Sequence, residues 1–170
     1  IAAGGDVTLE RCTIQNNSVQ GTAGYLNGDA VGGAIFSGRS LVITDCIIRN
    51  NSAVGAPGVN GTSKPKRAGT DGGNAYGGAL AINGILGDTT TIRNSIITGN
   101  VAVGGIGGRN GGRNGKGFGG GIWIRAASVF NGYFIPAASA ALDAFTAKHT
   151  VSNTATGKNP DIFGDYVLIA

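Results

Sequence analysis

The sequence predicts an all-β chain: a parallel β-helix solenoid of about four coils, with long loops on one side and an atypical C-terminal coil. Three observations carry that expectation. A pair of glycines followed by a short apolar strand occurs at Gly32-Gly33-Ala34-Ile35, Gly77-Gly78-Ala79-Leu80 and Gly120-Gly121-Ile122-Trp123. An Asn-marked strand closes the first two units, at Ile48-Arg49-Asn50-Asn51-Ser52-Ala53 and Ile97-Thr98-Gly99-Asn100-Val101-Ala102, and an earlier unit keeps only its closing half, Ile14-Gln15-Asn16-Asn17-Ser18-Val19. Charged residues are only 13% of the chain, which suits short strands with polar turns better than a charged helical surface. A repeat of this kind is one supersecondary unit that must stack on copies of itself to bury its apolar face.

The units run over residues 1–31, 32–76, 77–118 and 119–170 of one β-helix domain. Shifts of 34 and then 49 residues bring Cys12, Cys46 and Ser95 into one column. The same shifts align Leu9, Ile43 and Ile92, then Ile14, Ile48 and Ile97, then Asn17, Asn51 and Asn100. Unequal periods with a constant strand pair place the variable length between the Asn turn and the next Gly-Gly, so the long loops share one side. Within a unit, Leu41 and Ile43 alternate with Val42 and Thr44, and Cys46 and Ile48 alternate with Ile47 and Arg49. The three-residue step from Ile43 to Cys46 puts a corner near Thr44-Asp45, with Leu41, Ile43, Cys46 and Ile48 facing inward. A third strand, Ala34-Ile35-Phe36, completes a turn of three strands.

The Asn column reads as a structural ladder, because Asn tolerates the left-handed backbone of sharp turns and its amide can bond the amide on the next coil. Ligand binding by the same residues is the alternative. The last unit carries the hydrophobic segment 129–136 and the Ala-rich run 137–147, which reads as a short helix covering the end of the core. The register of residues 137–155 stays open by one position, and such a slip reverses which side chains face inward.

With 33 glycines and 4 prolines but no strict three-residue period along the chain, collagen is excluded. Apolar runs of three to five residues are too short for a membrane-spanning segment. The formal charge of +4 is concentrated at Lys64, Lys66 and Arg67 and at Arg109, Arg113 and Lys116, in two Gly-rich stretches. These are the candidate loop contacts, either for solubility alone or for a weak anionic partner such as an acidic polysaccharide. Nucleic acid is not expected, since no aromatic residues interleave with the basic ones. Tyr25, Tyr76 and Phe118 are the candidate aromatic anchors beside these loops.

The order of Gly-Gly-Ala-Ile and then hydrophobic-x-x-Asn resembles the polymorphic outer-membrane protein repeats of bacterial surface proteins, which pair a Gly-Gly-apolar motif with Phe-x-x-Asn. Here Ile14, Ile48 or Ile97 stands at the aromatic position. The resemblance runs from Val7 to about Ala155, and Asn159-Pro160-Asp161-Ile162-Phe163-Gly164 is similar to the tail that ends such arrays. It implies a right-handed, pectin-lyase-like β-helix in a secreted or surface-attached bacterial protein, and it does not carry a catalytic site with it. The chain starts without Met and in mid-repeat, which reads as a piece of something longer.

Enzymes on that fold typically use clustered Asp residues, or Asp-bound calcium with a basic residue, on acidic polysaccharides. No two of the nine acidic residues are adjacent, so no catalytic residue, metal site or cofactor is expected; Asp71 and Asp88 read as turn formers that could contribute from the loop side. His149 stands alone. Cys12 and Cys46, one coil apart, are expected as buried thiols, with a disulfide as the alternative. Three functions remain: a non-catalytic structural or adhesive module whose partner is an anionic polysaccharide or another extracellular protein; a polysaccharide lyase or hydrolase with its site partly outside this segment; and a subunit that self-assembles through coil ends or loops.

Overall fold

A computed structural model describes residues 1–23, 28–85 and 87–170. Among the described residues the fold is all-β, built of five parallel sheets and two antiparallel hairpins, with one five-residue helix, Ala144–Lys148. The first sheet takes Ala2–Ala3, Ile35–Ser37, Leu80–Ile82, Ile122–Ile124 and Ile162–Phe163 in that order, and the second takes Val7–Glu10, Leu41–Thr44, Thr89–Arg93, Ser139–Asp143 and Val167–Ile169. The third aligns Thr13–Gln15, Ile47–Arg49, Ile96–Thr98 and Thr150–Val151, and the fourth Ser18–Gln20, Ser52–Val54, Val101–Val103 and Thr154–Ala155. Ala30–Val31, Ala75–Tyr76 and Gly117–Phe118 make the fifth. Neighbouring strands in these sheets come from consecutive sequence units, except that the last unit supplies the final two strands of both the first and the second sheet.

Register follows from which side chains are apolar. Ile43 pairs with both Leu9 and Ile92, and Ile92 pairs in turn with Leu142. Ile48 pairs with Ile14 and Ile97, and Thr150 continues that column. Leu41, Ile43, Cys46, Ile48, Ile92, Ile97 and Leu142 are fully buried in one continuous core, while Val42 and Ile47 face solvent. A one-residue slip of any strand would exchange these two sets, so burial holds the register.

Corners are set by residues with left-handed backbone. Arg11, Asp45 and Asn94 (φ 50, 55 and 45°) turn the chain from the second sheet into the third. Asn16, Asn50, Gly99 and Ser152 (φ 59, 54, 65 and 59°) turn it from the third into the fourth. This second corner splits what the sequence reads as one closing strand, so a unit has five short strand segments rather than three. It also separates two jobs that the sequence reading gave to one residue. The left-handed residue is the one before each ladder asparagine, and the ladder asparagine itself points inward.

The C-terminal unit departs as its composition suggests, but not as one helix. Ser139–Asp143 is a strand of the second sheet, and only Ala144–Lys148 is helical. Eight residues separate Leu142 from Thr150, where five separate their partners Ile92 and Ile97. The three extra residues are taken up as one helical turn at the corner, with Asp143 accepting the Thr146 amide at 2.7 Å as its N-cap. No described helix is long and apolar enough to cross a membrane.

Candidate contact surface

Two side-chain columns rise through the core. In the first, the backbone N–H and the Nδ2 of Asn17 both donate to Oδ1 of Asn51 (3.0 and 2.9 Å), and Asn51 donates in the same way to Asn100 (2.9 and 2.9 Å). Asn100 then donates to Asn153 (3.0 and 2.9 Å), a fourth rung beyond the three aligned by sequence. In the second column the Cys12 amide meets Sγ of Cys46 (3.4 Å), the Cys46 amide meets Oγ of Ser95 (3.1 Å), and the Ser95 amide meets Oγ1 of Thr146 (3.1 Å). Both cysteines are free thiols, and burial, ahead of the neighbouring Cys12, pushes the Cys46 thiol up from its ordinary range. Every buried side-chain nitrogen and oxygen in these columns has a hydrogen-bond partner, so the buried rungs brace the scaffold.

The Gly-rich stretches between the fourth and fifth sheets are not open loops. Residues 55–61, 69–75, 103–109 and 112–116 lie side by side and bond backbone to backbone with a step of three. Gly55, Gly58 and Gly61 donate to the carbonyls of Val103, Ile106 and Arg109 (2.8, 2.8 and 2.9 Å), so these segments run parallel. Gly69, Gly72 and Ala75 donate likewise to Asn110, Arg113 and Lys116 (3.1, 2.9 and 2.8 Å). Antiparallel contacts tie the pairs together: Gly73 to Ala56, Gly105 to Gly73 and Gly115 to Gly105, at 2.9, 2.8 and 2.8 Å. A three-residue repeat of hydrogen bonds is the signature of extended threefold helices of the polyproline II type. Glycine at every third position is what lets their axes approach. A Cβ on Gly105 would lie 1.9 Å from the Ala56 carbonyl oxygen, and one on Gly115 would lie 1.9 Å from that of Gly73.

Side chains on this bundle are tied into it from the base. Asp71 accepts the Arg113 amide (2.7 Å), Asn74 accepts the Lys116 amide (2.9 Å), Asn60 accepts the Arg109 amide (2.9 Å), and Asp29 accepts the Asn74 amide (2.6 Å). Where the bundle meets the fifth sheet, an open cavity of about 780 Å³ is lined by Asp29, Asp71, Tyr76, Arg113, Lys116 and Phe118 among others. Tyr76 and Phe118 are register partners whose rings stack at 5.4 Å and 10°. Trp123 leans on Tyr76 (5.0 Å), and Phe163 meets the edge of Phe118 (5.2 Å). Partial burial, followed by the Asp29 charge, holds the Tyr76 phenol above its ordinary value, so it stays a neutral donor. The cavity thus combines an aromatic platform, two exposed cations and two carboxylates whose inner oxygens are already occupied.

The candidate cations are divided by the structure. Arg113 and Lys116 line this cavity. Lys66 and Arg67 sit on the exposed hairpin Thr62–Ser63/Lys66–Arg67 with Lys64 in its turn, beside a smaller depression of about 330 Å³. Arg109 lines neither, although its backbone is part of the bundle. Asp88 is a turn residue: it accepts the Ile85 amide (2.9 Å) and lies 3.9 Å from Arg39. His149 ends the helix, its ring stacked on Phe145 at 3.9 Å. Tyr25 lies outside the described residues. Among the described residues no three His, Cys, Asp or Glu side chains gather into one metal-ligating group. Asp29 and the Gly-x-x-Gly steps that build the cavity escape sequence reading; the steps Gly55-Gly58-Gly61 and Gly112-Gly115 were the available signal.

Comparison with protein-family models, with curated proteins and with solved structures returns no match for this chain.

Proposed function

We propose that the chain is a right-handed parallel β-helix, a solenoid of about four coils, serving as a non-catalytic adhesive and structural module of a bacterial cell-surface or extracellular protein. The solenoid reading is supported by five parallel sheets whose strands follow the sequence units in order, with stacked left-handed corners between them. The last unit supplies two strands to each of the first two sheets and none to the fifth. Right-handedness is supported by the general preference of parallel crossovers. The likeness of its Gly-Gly-apolar and Asn motifs to outer-membrane protein repeats supports the surface location.

The single observation that carries the adhesive reading is the cavity at the base of the glycine bundle. There Arg113 and Lys116 stand beside the stacked rings of Tyr76 and Phe118 on a backbone held by its own hydrogen bonds. A sugar ring presents a flat C–H face to an aromatic platform, and a uronic acid adds a carboxylate for the two cations. An anionic polysaccharide is therefore the ligand class. Native electrophoresis through gels containing polygalacturonate tests it: retardation is expected, with most of it lost in the Arg113→Ala/Lys116→Ala variant. Equal mobility with and without polygalacturonate overturns the reading.

A second reading, a polysaccharide lyase or hydrolase, is favoured by the presence of Asp29 and Asp71 in that same cavity. Depolymerisation of the polysaccharide that disappears in Asp71→Asn would replace the non-catalytic assignment with this one.

A further inference from the structure

At the corner between the first and second sheets, the chain crosses in one unit through the three residues 38–40. In the last full unit the same corner carries an antiparallel hairpin, Ser128–Phe130 with Tyr133–Ile135, pairing Ser128 with Ile135, Val129 with Phe134 and Phe130 with Tyr133. Asn131 and Gly132 turn it with φ of 50 and 80°, the two left-handed positions of a tight type I′ turn. Its base is clamped. The Arg125 guanidinium donates to the carbonyls of Pro136 (2.8 Å), Gly84 (2.8 Å) and Ala126 (3.3 Å), and the Ala138 amide donates to the Arg125 carbonyl (2.8 Å).

The ribbon beyond this clamp covers nothing. Val129 and Phe134 share one face and Phe130 and Tyr133 the other, and they are 69, 70, 66 and 78% exposed. Four large apolar side chains held in water on a protruding element mark an interaction site. Two further facts narrow the occupant. Both faces are apolar, so a flat partner surface would cover one and leave the other wet. No charged residue occurs between Arg125 and Asp143, so nothing on the ribbon must be stripped of hydration on entering a medium of low dielectric constant.

We propose that the hairpin 128–135 is an interfacial anchor that enters the headgroup and upper acyl region of a lipid bilayer. Three residue pairs at about 3.3 Å reach roughly 10 Å, the depth of that zone. Aromatic side chains with a polar tip, such as Tyr133, favour this boundary, and the Asn131 amide at the turn can remain hydrogen-bonded there. The attachment is peripheral, since three pairs fall well short of the hydrocarbon thickness. It is also independent of the basic bundle and its cavity, which belong to a different side of the scaffold.

Sedimentation with pure phosphatidylcholine vesicles tests the proposal, because a zwitterionic surface offers the basic loops no net charge. The chain is expected to co-sediment, with partitioning lowered roughly tenfold or more in Phe130→Ser/Tyr133→Ser. Both side chains are exposed, so an unchanged thermal transition is expected and confirms that the variant folds. Phe134→Trp supplies a reporter whose added emission is expected to shift to the blue and to be quenched by lipids brominated in the upper acyl chain. Absence of both co-sedimentation and the spectral shift overturns the anchor, as does equal binding by the double variant. A lipid-free, concentration-dependent oligomer abolished by the double variant would also overturn it and assign the ribbon to a second copy of the chain.

Discussion

Asn153 donates both its backbone N–H and its Nδ2 to one oxygen of Asp161, each at 3.0 Å. The three preceding rungs use the same pair of donors on an asparagine Oδ1, so Asp161 stands where a fifth asparagine would. A carboxylate accepts without offering an amide of its own, and the column ends on it. Asp161 therefore caps the asparagine column chemically.

The inner rungs are expected to be worth far more than the outer one. Asn100→Ala would leave the buried Asn51 amide without its acceptor and Nδ2 of Asn51 with only the Ile14 carbonyl at 3.2 Å, which costs about 1–3 kcal/mol. Asn17→Ala, at an exposed rung, is expected to cost less than about 1 kcal/mol. Chemical denaturation of the two variants checks the order, and equal losses would overturn it.

Glycine spacing in the bundle makes a local prediction. Gly105→Ala places a methyl group 1.9 Å from the Ala56 oxygen and must push the segments apart, at a cost of about 1–3 kcal/mol. Hydrogen exchange is expected to quicken at the Gly58, Gly73 and Gly115 amides, while Ile43 and Ile92 keep their protection. Gly4→Ala, with no atom within 4 Å of the added methyl, is expected to change nothing.

Acid is expected to loosen the C-terminal corner. Burial tends to raise the Asp143 carboxyl, but the Thr146 and Asn94 amides and the Arg93 charge outweigh it and hold the carboxyl below its ordinary value. A depressed carboxyl contributes its stability above the unfolded value of about 4, and loses it as the pH falls through the lower folded value. Melting temperatures followed downward from pH 5 should decline in wild type and decline less steeply in Asp143→Asn. Parallel curves would remove Asp143 from the account.

Thiol labelling separates the two cysteines. Cys46 is buried and its raised thiol stays protonated at neutral pH, whereas Cys12 is only half-buried. Iodoacetamide is expected to modify Cys12 in the folded chain and Cys46 only after denaturation. Cys46→Ser is expected to cost little, since Ser95 and Thr146 already fill the next two positions of that column. Intact mass gives the labelling directly, and two adducts on the native chain would contradict it.

What could be read in the sequence was whatever repeats at a fixed offset. The shifts of 34 and 49 residues bring Leu9, Ile43 and Ile92 together, and these are register partners in the sheets, because alternating apolar residues leave a strand one way to face the core. The glycine bundle was hidden for a physical reason. Its three-residue step persists only in short segments, and their pairing is decided by distant partners such as Gly58 with Ile106. A search for a chain-long period passes over it. The run 137–147 was ambiguous because alanine and leucine suit a buried strand and a short helix alike, and the three-residue surplus against Ile92–Ile97 becomes visible only once Leu142 is paired. Asp161 closes the asparagine column from the bend before Ile162–Phe163, at an offset that none of the repeat shifts shares.

The threefold step has an evolutionary corollary. Adding or deleting a whole Gly-x-x triplet in neighbouring segments lengthens or shortens the bundle while every glycine keeps its place on the crowded axes. A change of one or two residues would instead drive a side chain into them. Outward x positions such as Val59 and Ile106 are exposed and free to vary, whereas Ala56 and the second glycines Gly73, Gly104 and Gly107 face neighbouring segments. Segment length in this region should therefore diverge in multiples of three, giving a recognition surface that can be re-lettered and resized without redesign of the column that carries it.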